Sequence, residues 1–180
     1  MRKYPAVFLD RDGTLINDVG YINKVSKVEI YSNTISALKK LQKHFLLFII
    51  TNQSGISEGL LSEVDVKRVN AYIEKKLKSK GVTIYHTFFC PHKTEDKCIC
   101  RKPHPFFVNQ AISLYNLDVS KSYIIGDHPS DVECGINSGI TPIYVLTGHG
   151  EKHRSELNNT VQICDSILEA SDYIISKLNN

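Results

Sequence analysis

Asp10-Arg11-Asp12-Gly13-Thr14 sets two carboxylates two residues apart, directly after the apolar run Ala6-Val7-Phe8-Leu9. Alone, an Asp-x-Asp pair reads as readily as a solvent turn; its place at the end of an apolar run favours a metal or catalytic role. Asp127 follows a second such run, Tyr123-Ile124-Ile125-Gly126, and Asp131 stands four residues further on. If the two runs are neighbouring strands, Asp10, Asp12 and Asp127 converge on a hard, oxygen-rich site suited to Mg²⁺. Asp131 is expected to support that site, through a metal-bound water or as a helix cap, more than to ligate directly. Lys102 and the Thr51 hydroxyl would give an anion such as phosphate the charge and hydrogen bonds it needs beside Asp10. The set points to phosphoryl transfer.

A second group has a different chemistry. Cys90-Pro91-His92 and Cys98-Ile99-Cys100 put three thiols and one imidazole within eleven residues. Cys₃His is a closed tetrahedral set for Zn²⁺ with no position left for water, so a structural zinc loop over residues 90–100 is expected. Such a loop would steady the Arg101-Lys102 segment that follows it.

These residues need a scaffold that delivers them to one place. The runs 6–9, 45–50, 123–125 and 143–146 read as buried strands, with a further β-favouring stretch at 82–89. Helical spacing appears at Ile35, Leu38 and Leu41, and at Val66, Val69, Ile73 and Leu77, where Ser62 and Asp65 offer a start, with Asp in place of the usual Glu or Gln of a capping box, and Gly81 a stop. Further helices are expected from Pro105 to Leu117 and from Pro129 to Gly139. The end is ambiguous: Ile163, Ile167, Ala170, Ile174 and Leu178 share a helical face, while Asp172-Tyr173-Ile174-Ile175 suits a short strand, the reading preferred here.

Alternating strands and helices predict an α/β fold, a Rossmann-like, mostly parallel sheet with helices on both faces and ligands beyond the carboxyl ends of its strands. Length and composition agree. The 180 residues are 42% hydrophobic and 23% charged, which suits one globular domain over residues 1–180 and leaves no room for a large cap domain. A net charge of +3, with Lys75 to Lys80 not interleaved with aromatics, argues against a nucleic-acid partner. The longest strongly apolar stretch, 45–50, is far too short to span a membrane. A cytoplasmic monomer acting on a small molecule is expected, the clustered thiols fitting a reducing compartment.

The chain resembles the haloacid-dehalogenase-like (HAD-like) hydrolases through Phe8-Leu9-Asp10-Arg11-Asp12-Gly13-Thr14-Leu15, Thr51-Asn52-Gln53-Ser54-Gly55, Lys102-Pro103 and Gly126-Asp127-x-x-x-Asp131. All four motifs occur in the family's order. The resemblance implies that Asp10 attacks phosphorus and becomes an aspartyl phosphate. Asp12 would protonate the leaving alcohol, then activate water, its backbone carbonyl helping to hold Mg²⁺. Asp127 would bind Mg²⁺, Thr51 orient the phosphate and Lys102 neutralise charge.

Gly20-Tyr21, the Cys-His loop and Arg101-Lys102-Pro103-His104-Pro105 narrow the resemblance to the branch of heptose bisphosphate and histidinol phosphatases, over residues 7–148. It implies a sugar-phosphate substrate; Asn52, Gln53 and Ser54 would read its hydroxyls or satisfy their own loop, and Arg101 would bind its phosphate or hydroxyls or support the zinc loop. Histidinol phosphate is the alternative substrate, and a metal-stabilised binding or scaffold protein without turnover the alternative class. The chain departs from the heptose pattern at Asn33, Phe106 and His128.

Overall fold

The computed structural model describes residues 3–178; the outermost two residues at each end of the expected domain lie outside the described residues. Six strands form one parallel sheet: β1 (Ala6–Leu9), β2 (Leu46–Asn52), β3 (His86–Cys90), β4 (Tyr123–Gly126), β5 (Thr141–Val145) and β6 (Gln162–Cys164). Their order across the sheet is β3-β2-β1-β4-β5-β6. The chain therefore winds outward from β1 to β3, returns to place β4 against the other side of β1, and winds outward again. At that reversal Phe8 pairs with Ile124 and Leu9 with Ile125. Neighbouring strands diverge in their connections there, which opens a crevice at their carboxyl ends.

Both faces of the sheet are covered, so every residue of β1 is buried and the strand reads as an unbroken apolar run. Alternation along the strands sends Val7, Leu9, Leu47, Ile49 and Ile125 to one face. Against them pack α1 (Thr34–Leu41), α2 (Glu63–Ser79) and α6 (Ile167–Leu178). Ala6, Phe8, Phe48, Ile50 and Ile124 point to the other face, under α3 (Phe106–Tyr115) and α4 (Pro129–Ser138).

The helix boundaries follow local chemistry. Ser62 and Asp65 form the reciprocal capping box that opens α2. Pro129 begins α4 and Gly139 ends it at φ +73°, a left-handed conformation that a residue with a Cβ adopts only at a cost.

The chain end corrects one expectation. Residues 172–175 are helical, inside α6, and not a strand. Ile167, Ala170 and Ile174 lie on one buried face, packed in the same core as Ala37, Leu38 and Leu41 of α1. That packing overrides the β preference of Tyr173-Ile174-Ile175. Ile163 belongs instead to β6, a three-residue edge strand that the sequence reading did not contain. β3 is also shorter than the 82–89 stretch and starts at His86.

Candidate active site

Asp10 leaves β1 and Asp127 leaves β4, on the two strands that flank the reversal. Asp10 N–H donates to Ile125 O at 2.9 Å, extending the ladder one residue past the strand and fixing the carboxylate at its mouth. Lys102 reaches the same point from the segment after the Cys-His loop. Its ammonium donates to Asp10 Oδ1 and Asp131 Oδ1, each at 2.5 Å, and to Ile50 O at 3.0 Å. Asp131 is thereby shared: its second oxygen accepts the His128 N–H and caps α4.

This cluster is buried, with Asp10, Lys102, Asp127 and Asp131 all at most 8% exposed. Burial alone would strip Lys102 of its proton, but the flanking carboxylates overcome it and hold the ammonium above its ordinary range. Burial, then Asp131, pushes Asp127 up to about 7. Asp10 is also raised, by burial first, with Lys102 opposing and the other carboxylates adding. With all three carboxylates ionised, as a bound cation would require, one ammonium leaves the site two positive charges short of balance.

Asp12 lines the same cavity as this cluster and bonds to a separate set of partners. Gln53 Nε2 donates at 2.8 Å to both Asp12 Oδ2 and Thr51 Oγ1, and Thr51 Oγ1 lies 3.3 Å from Asp12 Oδ2. Gln53 is buried, its amide turned to Asp12 and Thr51. Asn52 brackets Lys102 from the side, accepting its N–H at 3.1 Å and donating to its carbonyl at 3.2 Å. Asn52, Ser54 and Arg101 line a cavity of about 420 Å³ together with Asp10, Thr51, Lys102 and Asp127. His128, His149, Lys152 and His153 line the same space, with Asp18 3.0 Å from His149 Nε2. Lys152 and His153 come from α5 (Gly150–His153), a four-residue helix with no periodicity for the sequence to show, whereas His128 stands out in the sequence as a departure from the heptose pattern.

The second ligand group is also assembled. Cys90 Sγ lies 3.2 Å from Cys100 Sγ and 3.6 Å from Cys98 Sγ, which are themselves 3.6 Å apart. His92 Nδ1 is 3.7 Å from Cys90 Sγ and 3.4 Å from Cys100 Sγ. A regular tetrahedron with Zn–S arms of ~2.3 Å has edges of ~3.8 Å, so the four atoms sit close to the corners that one tetrahedral metal requires.

The chain is similar to known proteins. A HAD-hydrolase-like family model matches residues 99–170. The D-glycero-alpha-D-manno-heptose-1,7-bisphosphate 7-phosphatase of Photorhabdus laumondii is 35% identical over 185 residues, covering 98% of this chain and 97% of that protein. The chain belongs to the HAD-like phosphatases. The D-glycero-beta-D-manno-heptose-1,7-bisphosphate 7-phosphatase of Pasteurella multocida is 37% identical over 151 residues, 79% of this chain and 82% of that protein. For the fold, a D,D-heptose 1,7-bisphosphate phosphatase from B. bronchiseptica, solved with magnesium and phosphate, superposes with a TM-score of 0.89 at 24% identity. The match covers 96% of this chain and 99% of that one.

In this HAD-like chain the oxygen cluster fits a small divalent cation. Ligand atoms of Asp10, Asp127 and Asp131 lie within 4.8 Å of one another. Gly13, at φ +80°, and Gly148 both abut the Asp127 carboxylate, where any Cβ would collide with it. Thr14 Oγ1 and the His149 N–H hold Asp127 at 3.3 and 2.8 Å. Thr14 and His149 were not among the residues expected at the site; the backbone N–H of His149 carries no signature in sequence, whereas Thr14 adjoins the acidic motif.

Proposed function

We propose that this phosphatase removes the 7-phosphate of D-glycero-D-manno-heptose 1,7-bisphosphate in a Mg²⁺-dependent reaction through an aspartyl phosphate on Asp10. The observation that carries the reading is the buried Lys102 between Asp10 and Asp131 beside Asp127, a cluster short of positive charge at the mouth of β1 and β4. Asp10, Asp127 and the Asp12 carbonyl would hold Mg²⁺, which supplies charge against the transferring phosphoryl group. Lys102 supports Asp10 as nucleophile by keeping a fixed ammonium against its carboxylate, which lowers the repulsion an incoming phosphate meets.

Asp10 forms a bond to phosphorus as the bond to the sugar oxygen breaks, and Asp12 gives that oxygen a proton. Asp12 then takes a proton from water as the water oxygen displaces Asp10 and frees phosphate. Thr51, Asn52, Ser54 and Arg101 line the space the phosphate and sugar would occupy, while Gln53 orders Asp12 and Thr51 from behind. The Cys-His loop would carry structural Zn²⁺, and its thiolates suit the reducing cytoplasm.

The heptose bisphosphate is favoured over histidinol phosphate because Arg101 and Lys152 line the same cavity and would meet its second phosphate. Phosphate release from the two substrates with Mg²⁺ tests the reading. Preference for the heptose bisphosphate is expected, and preference for histidinol phosphate would overturn the substrate. Asp10→Asn should cut turnover of either at least about a thousandfold; a normal rate in that variant would overturn the mechanism.

A further inference from the structure

Arg11 has no role in the reading above, yet it heads the fully buried side chains of the described residues by volume and is 1% exposed. A guanidinium does not shed its charge on burial, so its partners must balance it. Nε and Nη2 fork onto both oxygens of Asp12 at 2.7–3.2 Å. Nη1 donates to Asn70 Oδ1 at 2.7 Å. Asn70 comes from α2, 59 residues away, and is buried on the helix side that also carries Val66, Val69, Ile73 and Leu77. A polar residue in that setting is costly unless it is bonded.

The donors divide unevenly over the Asp12 carboxylate. Oδ2 receives Gln53 at 2.8 Å and Thr51 at 3.3 Å in addition to the Arg11 fork. Oδ1 meets only that fork, at 3.0 and 3.2 Å. Oδ1 is thus the less crowded of the two oxygens, with two donor contacts against four on Oδ2.

We propose that Arg11 and Asn70 are positioning residues for proton transfer: Asn70 fixes the rotation of the guanidinium, the guanidinium fixes the carboxylate, and Asp12 Oδ1 gives and takes the proton. The inference rests on Asp12 being the acid and base of the function proposed above. In the first step an Asp10 oxygen bonds to phosphorus, the phosphorus–alkoxyl bond breaks, and the proton on Oδ1 passes to the departing oxygen. In the second, water bonds to phosphorus, the bond to Asp10 breaks, and the water proton returns to Oδ1. A pair that only stabilised the fold would affect every substrate alike, whereas a pair that aims the proton matters most when the leaving group needs one.

The test uses the full chain with Mg²⁺ and follows the first chemical step by rapid quench. Alcohol release from the heptose bisphosphate is compared with burst release of p-nitrophenolate from its phosphate ester, which departs without a proton. Asn70→Leu keeps the branching at Cγ and removes the acceptor; Asn70→Asp keeps the acceptor. Asn70→Leu should slow alcohol release about tenfold, part of the 10²–10⁴-fold that a placed proton donor contributes. It should leave p-nitrophenolate release within about twofold and KM nearly unchanged, and Asn70→Asp should restore the lost rate. Equal slowing of both leaving groups, no slowing of either, or no rescue by Asn70→Asp would overturn the proposal. Should the leucine variant not fold, Asn70→Ser, whose hydroxyl falls short of Arg11, makes the same comparison. Asp12→Asn separates the two levels. If it slows both leaving groups alike, the acid role of Asp12 fails and the proposal with it; if it discriminates while the Asn70 variants do not, only the positioning inference fails.

Discussion

The carboxylate-lysine cluster and the Cys-His loop meet two residues apart in the chain, at Lys102 and Cys100, and are held together by opposite means. The sheet builds the first: Asp10 and Asp127 leave neighbouring parallel strands, and three oxygen acceptors draw Lys102 into the interior. In the second, Cys90 ends β3, but the remaining ligands lie on a segment with a single 3₁₀ turn, Thr94–Asp96. Among the described residues, none from 91 to 100 belongs to either apolar core, and Ile99 is exposed. Burial can hold charged groups in place through their mutual pairing. A loop without apolar anchors lacks that resource, and four converging ligands would supply the substitute on binding a metal, whose binding energy would become folding energy there.

The sharpest way to break this contrast is to remove the cation from the first region. Lys102→Met leaves Asp10 and Asp131 facing each other in the interior, and breaking a buried pair costs about 3–5 kcal/mol. Turnover should fall at least about a hundredfold as well. Denaturant unfolding and phosphate release measure the two effects. A Lys102→Met chain as stable as the parent would mean that the sheet alone, not the pairing, holds the cluster.

The second region should respond locally. Cys98→Ala is expected to lose bound zinc, to admit protease cleavage within residues 91–100, and to lower turnover about ten- to a hundredfold by loosening Lys102. The sheet should still unfold cooperatively. Normal zinc content with normal turnover would show a loop ordered without its metal.

Acid should separate the regions in opposite directions. In metal-free protein Asp127 binds its proton more tightly when folded, at about 7 against an ordinary 3.8. The folded state therefore holds more protons between those values, and the contribution of this group is fully present below about 4 and lost as pH rises toward about 7. The thiols behave the other way, because they must release protons to bind metal and so hold it better as pH rises. Chelator-treated protein should show a higher denaturation midpoint near pH 5 than near pH 7.5, while zinc retention in untreated protein falls over the same descent. A midpoint that does not change would place Asp127 in a less buried setting than described.

The two regions also differed in how far they could be read from sequence. The cysteine ligands lie within eleven residues, so their spacing alone announced them. Asp10 and Asp127 were legible because β1 and β4 are covered on both faces and read as apolar runs ending in an acid. α6 and β6 were not: Tyr173-Ile174-Ile175 favours a strand locally and is helical only through packing in the core with α1, while Gln162–Cys164 is too short to show a period. The Arg11-Asn70 contact spans 59 residues and leaves one faint trace, an asparagine among the buried residues of α2. Gln53 read equally as a substrate contact or as a residue satisfying its own loop, and the folded chain shows its amide bonded to Asp12 and Thr51.

The smallest expected effect probes whether hydrogen bonds could replace the metal in the loop. Ser57 Oγ accepts the Lys93 N–H at 2.9 Å, tying the turn after β2 to the Cys-His segment. The same N–H also donates to Asp96 Oδ2 at 3.0 Å, and Ser57 N–H donates to Pro91 O at 3.1 Å whatever the side chain. Ser57→Ala thus removes one acceptor from a donor that keeps another, at an exposed position where such a loss costs less than about 1 kcal/mol. Zinc content should be unchanged and turnover within about twofold of the parent. If Ser57→Ala instead released zinc as Cys98→Ala does, the loop would depend on its hydrogen bonds as much as on its ligands, and the contrast with the buried cluster would shrink accordingly.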